Sequence, residues 1–324
     1  MKIGLVSRHA SNLWLRQTAR GDGCTNGAQF LIDQSENIDA LAVFDEPAKG
    51  QTTTVPRARR ILVTGEPRAI KRYSISYLNQ FGTVISPYRH WGYRGRLVQS
   101  QTGLPWFYGL SFDPDGIRSA LDFAQIEGLQ PQPRTLAVSA VISTKTKTAL
   151  HRRRLAFVEQ LRTRIGDQLM LFGNGFQPLA DKADAISACR YHLVLENSAD
   201  PHYWSEKLAD AYLGWALPLF SGTNSIGSYF PAGAFETIDT SQPDAAVAQV
   251  VRLLQDDPWS QRLPQLGEAR RRVMYEYNFL AMVAKAAAEM APAQPTTELR
   301  SPEPLWGSGA ATPRGRLSRV LGLR

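Results

Sequence analysis

Between Tyr191 and Asp239 the chain reads YHLVLENSADPHYWSEKLADAYLGWALPLFSGTNSIGSYFPAGAFETID. An apolar run of strand length, a polar loop, a helical stretch and two further short apolar runs follow one another. That order predicts strand, helix, strand and strand of an α/β unit on a parallel sheet. The polar residues Glu196, Asn197, Ser198, Tyr203, Ser205, Glu206 and Lys207 gather where the first strand ends and the helix begins. In an open α/β sheet ligands sit in the crevice outside the carboxyl ends of the strands. A helix N-terminus carrying a lysine there suits an anion such as a diphosphate.

The same alternation runs through the rest of the chain. Apolar bursts predict strands over Lys2–Ser7, Ala40–Phe44, Arg60–Thr64 and Thr83–Ser86, with a helical stretch around Arg72–Phe81. The strand RILVTGE leaves Glu66 at its carboxyl end. The proline-rich segment GLQPQPR (128–134) reads as a linker. A second α/β unit opens at Thr135 with the strand LAVSAVIS. It continues with helical periodicity over 148–165, a strand at Leu169–Phe172 and a helix over Asp181–Ala188. Leu253 to Met290 reads as mostly helical, interrupted near Pro258 and Pro264. From Pro292 the composition turns to Pro, Ser, Thr and Gly, as in a disordered tail ending in the basic RGRLSRVLGLR. The expected fold class is therefore α/β, with two Rossmann-like domains facing a cleft. The expected domains are 1–132, 133–291 and a tail over 292–324.

Composition narrows the partners. With 43% hydrophobic and 20% charged residues, the 324-residue chain has the balance of a globular protein. No apolar run reaches the roughly 18 residues of a membrane helix. The opening MKIGLVSRHASN reads as a first strand rather than a secretion signal. Cys24 and Cys189 form neither a disulfide framework nor a metal pattern, and a reducing cytoplasm is the expected location. The net charge of +8, with arginine clusters at 57–60, 152–154 and 270–272, calls for an anionic partner. No zinc-finger, RNP or helix-turn-helix pattern accompanies it, so nucleic acid is not expected. A phosphorylated small molecule and an anionic membrane face at the inner side, touched by the C-terminal tail, are the expected partners.

The gapless run ENSADPHYWSEK (196–207), followed by ALPLFSG and SYFPAGAFETID, resembles the α1,3-fucosyltransferases of glycosyltransferase family ten. Their pattern is a strand ending in E-N-[ST] and then Y-x-[ST]-E-K. RRVMYEYNF (271–279) is similar to the helix closing that family's C-terminal domain. The resemblance implies a GT-B type fold and an inverting transferase that moves fucose from GDP-fucose to a glycan hydroxyl, as in bacterial surface glycans such as lipopolysaccharide. It implies no cofactor for the chemistry, with a divalent cation at most a stimulant. It places Lys207 and Arg154 on the donor diphosphate, with Arg152 and Arg153 as alternative registers. Glu206 would lie near the donor sugar or ribose, and Glu196, Asn197, Ser198 and Tyr203 would line the donor site. Glu66, after Thr64–Gly65, falls on the position of the family's base. A related transferase using another nucleotide sugar, or a non-catalytic binding relative, remains open.

These assignments suit the chemistry. Glycosyl transfer needs a base for the acceptor proton, here Glu66. It needs positive charge on the departing diphosphate, here Arg154 and Lys207. A carboxylate near the oxocarbenium-like centre, Glu206 or Glu196, is the third requirement. Read singly, each is ordinary: Glu66 as a surface charge, Lys207 as a solvated lysine, Glu206 as a first-turn acid and Ser205 as a helix N-cap. Asp113-Pro114-Asp115 resembles a metal-binding D-x-D but lacks its setting. The five histidines never reach metal-ligand spacing, and no metal site is expected. Trp91 and the WFYG run at 106–109 are expected in the core, with sugar stacking as the alternative.

Overall fold

The computed structural model describes residues 1–9, 11–113, 116–144, 149–290 and 301–309. They divide into two compact units. One holds residues 1–103 with 279–290 and 301–309; the other holds the described part of 104–278.

The first unit is built on a seven-stranded sheet. Its strands are β1 (Lys2–Val6), β2 (Cys24–Thr25), β3 (Ala28–Ile32), β4 (Ala40–Phe44), β6 (Arg60–Val63), β7 (Thr83–Ser86) and β8 (Arg96–Gln99), while β5 (Thr52–Thr53) pairs elsewhere. Their order is β2-β3-β1-β4-β6-β7-β8, parallel except for the β2–β3 hairpin. ALAVF and RILV are buried along their whole length, which marks strands covered on both faces. The helices α1 (Ser11–Leu15) and α2 (Ile75–Leu78) are short. The helix Phe279–Ala288 returns to this unit, where Phe279 packs on Trp14 with ring centroids 4.6 Å apart.

The second unit opens with the hairpin β9 (Leu110–Asp113) and β10 (Gly116–Ala120) and the helix α3 (Phe123–Gly128). Then follow β11 (Thr135–Val141), α4 (Ala149–Ile165), β12 (Leu169–Phe172), α5 (Lys182–Ala188), β13 (Cys189–Leu195), α6 (Glu206–Leu213), β14 (Leu217–Ser221), β15 (Glu236–Thr237), α7 (Pro243–Asp256) and α8 (Leu263–Tyr275). The main sheet is all parallel in the order β12-β11-β13-β14-β15. That is a doubly wound order whose direction reverses between β11 and β13, the place where such sheets bind ligands.

The α/β class and the two Rossmann-like sheets expected from the sequence are both present. Three expectations differ. The units divide at Gly103/Leu104 rather than at 132, because Trp106 and Tyr108 are buried in the second core and the amides of Phe107 and Tyr108 bond Asp210. The 128–134 segment is therefore a loop inside the second unit. The helix ending at Asp256 begins at Pro243, ten residues before the expected start. Within the tail, Glu303–Pro304 pairs antiparallel with Thr52–Thr53, and the Gln80 amide donates to the Trp306 carbonyl at 3.0 Å. Residues 301–309 are thus ordered on the first unit. The rest of the tail, and Pro114 and Asp115 of the D-x-D pattern, lie outside the described residues.

Candidate active site in the second unit

The end of β13 delivers Glu196 into the start of α6. Its carboxylate is fully buried and accepts from the Ser205 amide at 2.8 Å and the Ser205 hydroxyl at 2.8 and 2.9 Å. Ser205 is the N-cap of α6, as the sequence predicts, and its Oγ accepts from the Lys207 amide at 3.4 Å. One serine thus joins the strand end to the helix start. Gly222, after β14, is sterically required: a Cβ there would lie 2.5 Å from the Phe220 ring and 3.1 Å from Glu196 Cγ.

Lys207 stands at the centre of the charges. Its Nζ lies 3.1 Å from Ser205 Oγ, 3.4 Å from Glu206 Oε1 and 3.7 Å from Glu196 Oε2. Lys182, on the first turn of α5, reaches Glu206 Oε1 at 3.7 Å and Asp210 Oδ2 at 2.8 Å. Asp210 also accepts from the amides of Phe107 and Tyr108 at 2.8 and 2.9 Å. Burial alone raises the Glu206 carboxyl, but Lys207 and Lys182 outweigh it and hold the pKa at about 2. Burial raises the Glu196 carboxyl, with Lys207 opposing. Burial works to lower the Lys207 ammonium, and the two glutamates override it and raise it. Glu206 and Lys207 are therefore ionised at neutral pH. A small cavity of about 10 Å³ among Lys182, His192, Lys207 and Asp210 has room for about one water.

Arg154 enters from α4. It is buried, whereas Arg152 and Arg153 beside it are exposed. Its Nη2 donates to the Ser143 carbonyl just beyond β11 at 3.1 Å. Its Nε is buried and has no hydrogen-bond partner among the described residues. Burial lowers its pKa, and its charge is near enough to disfavour the ammonium of Lys207. Asn197 Oδ1 is likewise buried without a described partner. Buried polar atoms are nearly always paired, and these two are among the exceptions in the described residues. Arg154, after β11, and Lys207, after β13, flank the point where the strand order reverses.

The structure thus brings Arg154, Glu196, Asn197, Ser198, Glu206 and Lys207 to one end of one sheet. Tyr203 is buried in the loop leading to α6, and Ser198 Oγ accepts from the Asp200 amide at 3.1 Å. His202 has φ +62° and its Nδ1 lies 2.9 Å from the Tyr229 hydroxyl. One expectation changes. Glu196 was a candidate for the carboxylate beside the reacting carbon, but it is fully buried and engaged by Ser205. It holds the helix start, and Glu206 retains partial exposure. Lys182 and Asp210 were missed. No motif marks Lys182, and the partners of Asp210 lie about a hundred residues upstream.

Glu66 belongs to the first unit. It follows β6, is half-buried, and donates its amide to the Tyr73 hydroxyl at 3.2 Å, as does Gly65 at 3.1 Å. The Tyr73 hydroxyl in turn donates to Asp45. Gly65 is needed because a Cβ would lie 2.9 Å from the Phe44 ring. Trp91, expected in the core, is 87% exposed, whereas Trp106 and Tyr108 are buried as expected.

Replacing Ser205 by alanine removes a helix cap and a donor to a buried carboxylate. The expected loss is about 1–2 kcal/mol. At about 2–4 °C per kcal/mol for a unit of this size, the thermal midpoint falls by about 2–8 °C. An unchanged midpoint in differential scanning calorimetry would remove Ser205 from this role.

The family comparison falls on the same residues. Residues 131–262 match the C-terminal part of glycosyltransferase family 10 (fucosyltransferase). No curated protein matches the sequence. Among solved structures, an alpha1,3-fucosyltransferase with GDP-fucose is 14% identical, with 93% of this chain and 92% of that chain covered and a TM-score of 0.49. Anabaena HepE in complex with UDP is 11% identical, with 89% and 99% covered and a TM-score of 0.46. The family match spans β11 to β15 and contains Arg154, Glu196, Glu206 and Lys207. Over residues 131–262, then, this chain is similar to the C-terminal part of glycosyltransferase family 10.

Proposed function

We propose that the protein transfers fucose from GDP-fucose to a hydroxyl of a glycan acceptor, with inversion at the anomeric carbon. The observation that carries the donor half is the buried Arg154, whose Nε has no partner among the described residues, set at the same sheet end as Lys207. Two cations and the N-terminus of α6 form an anion site suited to a diphosphate. Their charge stabilises the bridging oxygen as it becomes the leaving group. The family description supports fucose, and guanosine follows from the resemblance of the 196–207 motif.

In this reading Glu206, kept ionised by Lys207 and Lys182, stabilises positive charge developing at the anomeric carbon. Glu66 accepts the acceptor proton as its oxygen attacks, which makes the transfer a single displacement. The bond to fucose forms as the bond to GDP breaks, and the proton moves to the Glu66 carboxylate. Within the phosphate site, the ion pairs of Lys207 with Glu196 and Glu206 hold the ammonium in place before the donor arrives, so little ordering is left for the binding step.

A thermal-shift screen over GDP, UDP, CDP and dTDP conjugates tests this directly. GDP and GDP-fucose are expected to raise the midpoint, and incubation with GDP-fucose to release GDP. Stabilisation by UDP conjugates alone would favour a transferase with another donor. Binding of GDP without turnover of any GDP-sugar would favour a non-catalytic relative.

A further inference from the structure

The first unit carries a charge asymmetry that glycosyl transfer does not use. From Pro67 to Gly103, 37 residues of this unit contain no Asp or Glu, while Arg68, Lys71, Arg72, Arg89, Arg94 and Arg96 supply six cations. Internal carboxylates neutralise two of them: Lys71 pairs with Asp45 and Glu46, and Arg96 with Glu289. Arg72, Arg89 and Arg94 are exposed and have no salt bridge among the described residues.

Apolar side chains share this surface. Ile70, Ile75 and Trp91 are 47%, 36% and 87% exposed. They belong to one patch. The Arg68 guanidinium donates to the Arg89 carbonyl at 3.4 Å, joining the 67–71 turn to the 89–95 loop. The Ile75 side chain lies 3.6 Å from where a Cβ of Gly92 would stand, joining that loop to the start of α2. Between Arg89, Trp91, Tyr93 and Gln99 the loop encloses a hollow of about 360 Å³.

We propose that this patch is a docking surface for an anionic phospholipid bilayer. Exposed apolar side chains ringed by unneutralised arginines match the two requirements of reversible membrane binding, which are shallow insertion and attraction to acidic headgroups. Trp91 is the interfacial anchor, since an indole favours the headgroup level. Arg72, Arg89 and Arg94 supply the attraction, and the hollow beside Trp91 receives headgroup phosphate. A protein partner would need matching carboxylates, whereas a bilayer of acidic lipids supplies negative charge as a continuous surface. The surface lies wholly within the first unit.

Flotation of the full-length protein with phosphatidylcholine vesicles, with and without phosphatidylglycerol, tests the proposal. The wild type is expected to float with the acidic vesicles only and to be released by high salt. Arg72→Glu, Arg89→Glu and Arg94→Glu together are expected to lower partitioning about tenfold or more. Trp91→Ala alone lowers it several-fold and serves as the second arm should the triple variant fold poorly. GDP affinity, read in parallel, should not change, since none of these residues lies in the donor site. Alanines at Arg314, Arg316, Arg319 and Arg324 are expected to leave most of the binding in place. Equal binding to neutral vesicles, wild-type binding by both patch variants, binding lost with the tail arginines alone, or capture by single-stranded RNA but not by vesicles would each overturn it.

Discussion

Lys207→Ala is expected to weaken GDP binding by about 30- to 1,000-fold, corresponding to about 2–4 kcal/mol for truncating one partner of a hydrogen-bonded charge pair. The reason lies in the local electrostatics. The ammonium is held at the start of α6 by Ser205, Glu206 and Glu196 at 3.1 to 3.7 Å, where it meets an incoming phosphate already ordered. Without it, the ionised Glu206 is left without its nearest cation at the ligand site, and an anion is repelled where it had been attracted. The same truncation leaves Glu196 buried without its cation, so some stability is lost as well. Titration calorimetry below the variant's thermal midpoint separates the two effects. Lys207→Arg, which keeps the charge, should recover part of the affinity. Wild-type GDP affinity in the alanine variant would remove Lys207 from the phosphate site.

The second large effect is on chemistry alone. Glu66→Gln is expected to lower fucosyl transfer by about 10²- to 10⁴-fold, the range for losing a general base, with GDP affinity within a factor of about two of wild type. The substitution is isosteric, and the turn that carries Glu66 is fixed by backbone contacts that glutamine preserves, the Gly65 and Glu66 amides on the Tyr73 hydroxyl. A fall in rate without a fall in donor binding therefore reports the missing carboxylate rather than a rearranged loop. A radiolabelled transfer assay at saturating acceptor makes the measurement. Full activity in the Gln variant would exclude Glu66 as the base.

Much of the candidate site was legible because its residues are local. Glu196 to Lys207 span a strand end, a cap and a first helical turn, and each step has a sequence signature: an apolar run, a polar loop and Ser205 ahead of Glu206. Strands such as Ala40–Phe44 and Leu169–Phe172 were legible for a similar reason, as short apolar runs bounded by polar residues. What escaped was non-local. Lys182 joins the site only because α5 packs beside α6, and Asp210 is satisfied by amides at Phe107 and Tyr108 that no periodicity connects to it. Those same bonds move the boundary between the units back to Gly103, while the proline-rich 128–134 segment, which looks like a linker, is only a loop. The helix Phe279–Ala288 reads as a continuation of α8, yet its first residue packs on Trp14 of the other unit. Trp91 shows the converse limit. Composition places a tryptophan in the core, and only the fold reveals that this one faces solvent.

The central claim is that Arg154 and Lys207 hold a diphosphate together. The most direct test is calorimetric titration of wild type and Arg154→Ala with GDP and with GMP. Two cations at one sheet end predict that wild type binds GDP at least about tenfold more tightly than GMP, and that the Arg154 variant loses most of that preference. Equal affinity of the wild type for GDP and GMP, or a preference untouched by the loss of Arg154, would contradict it.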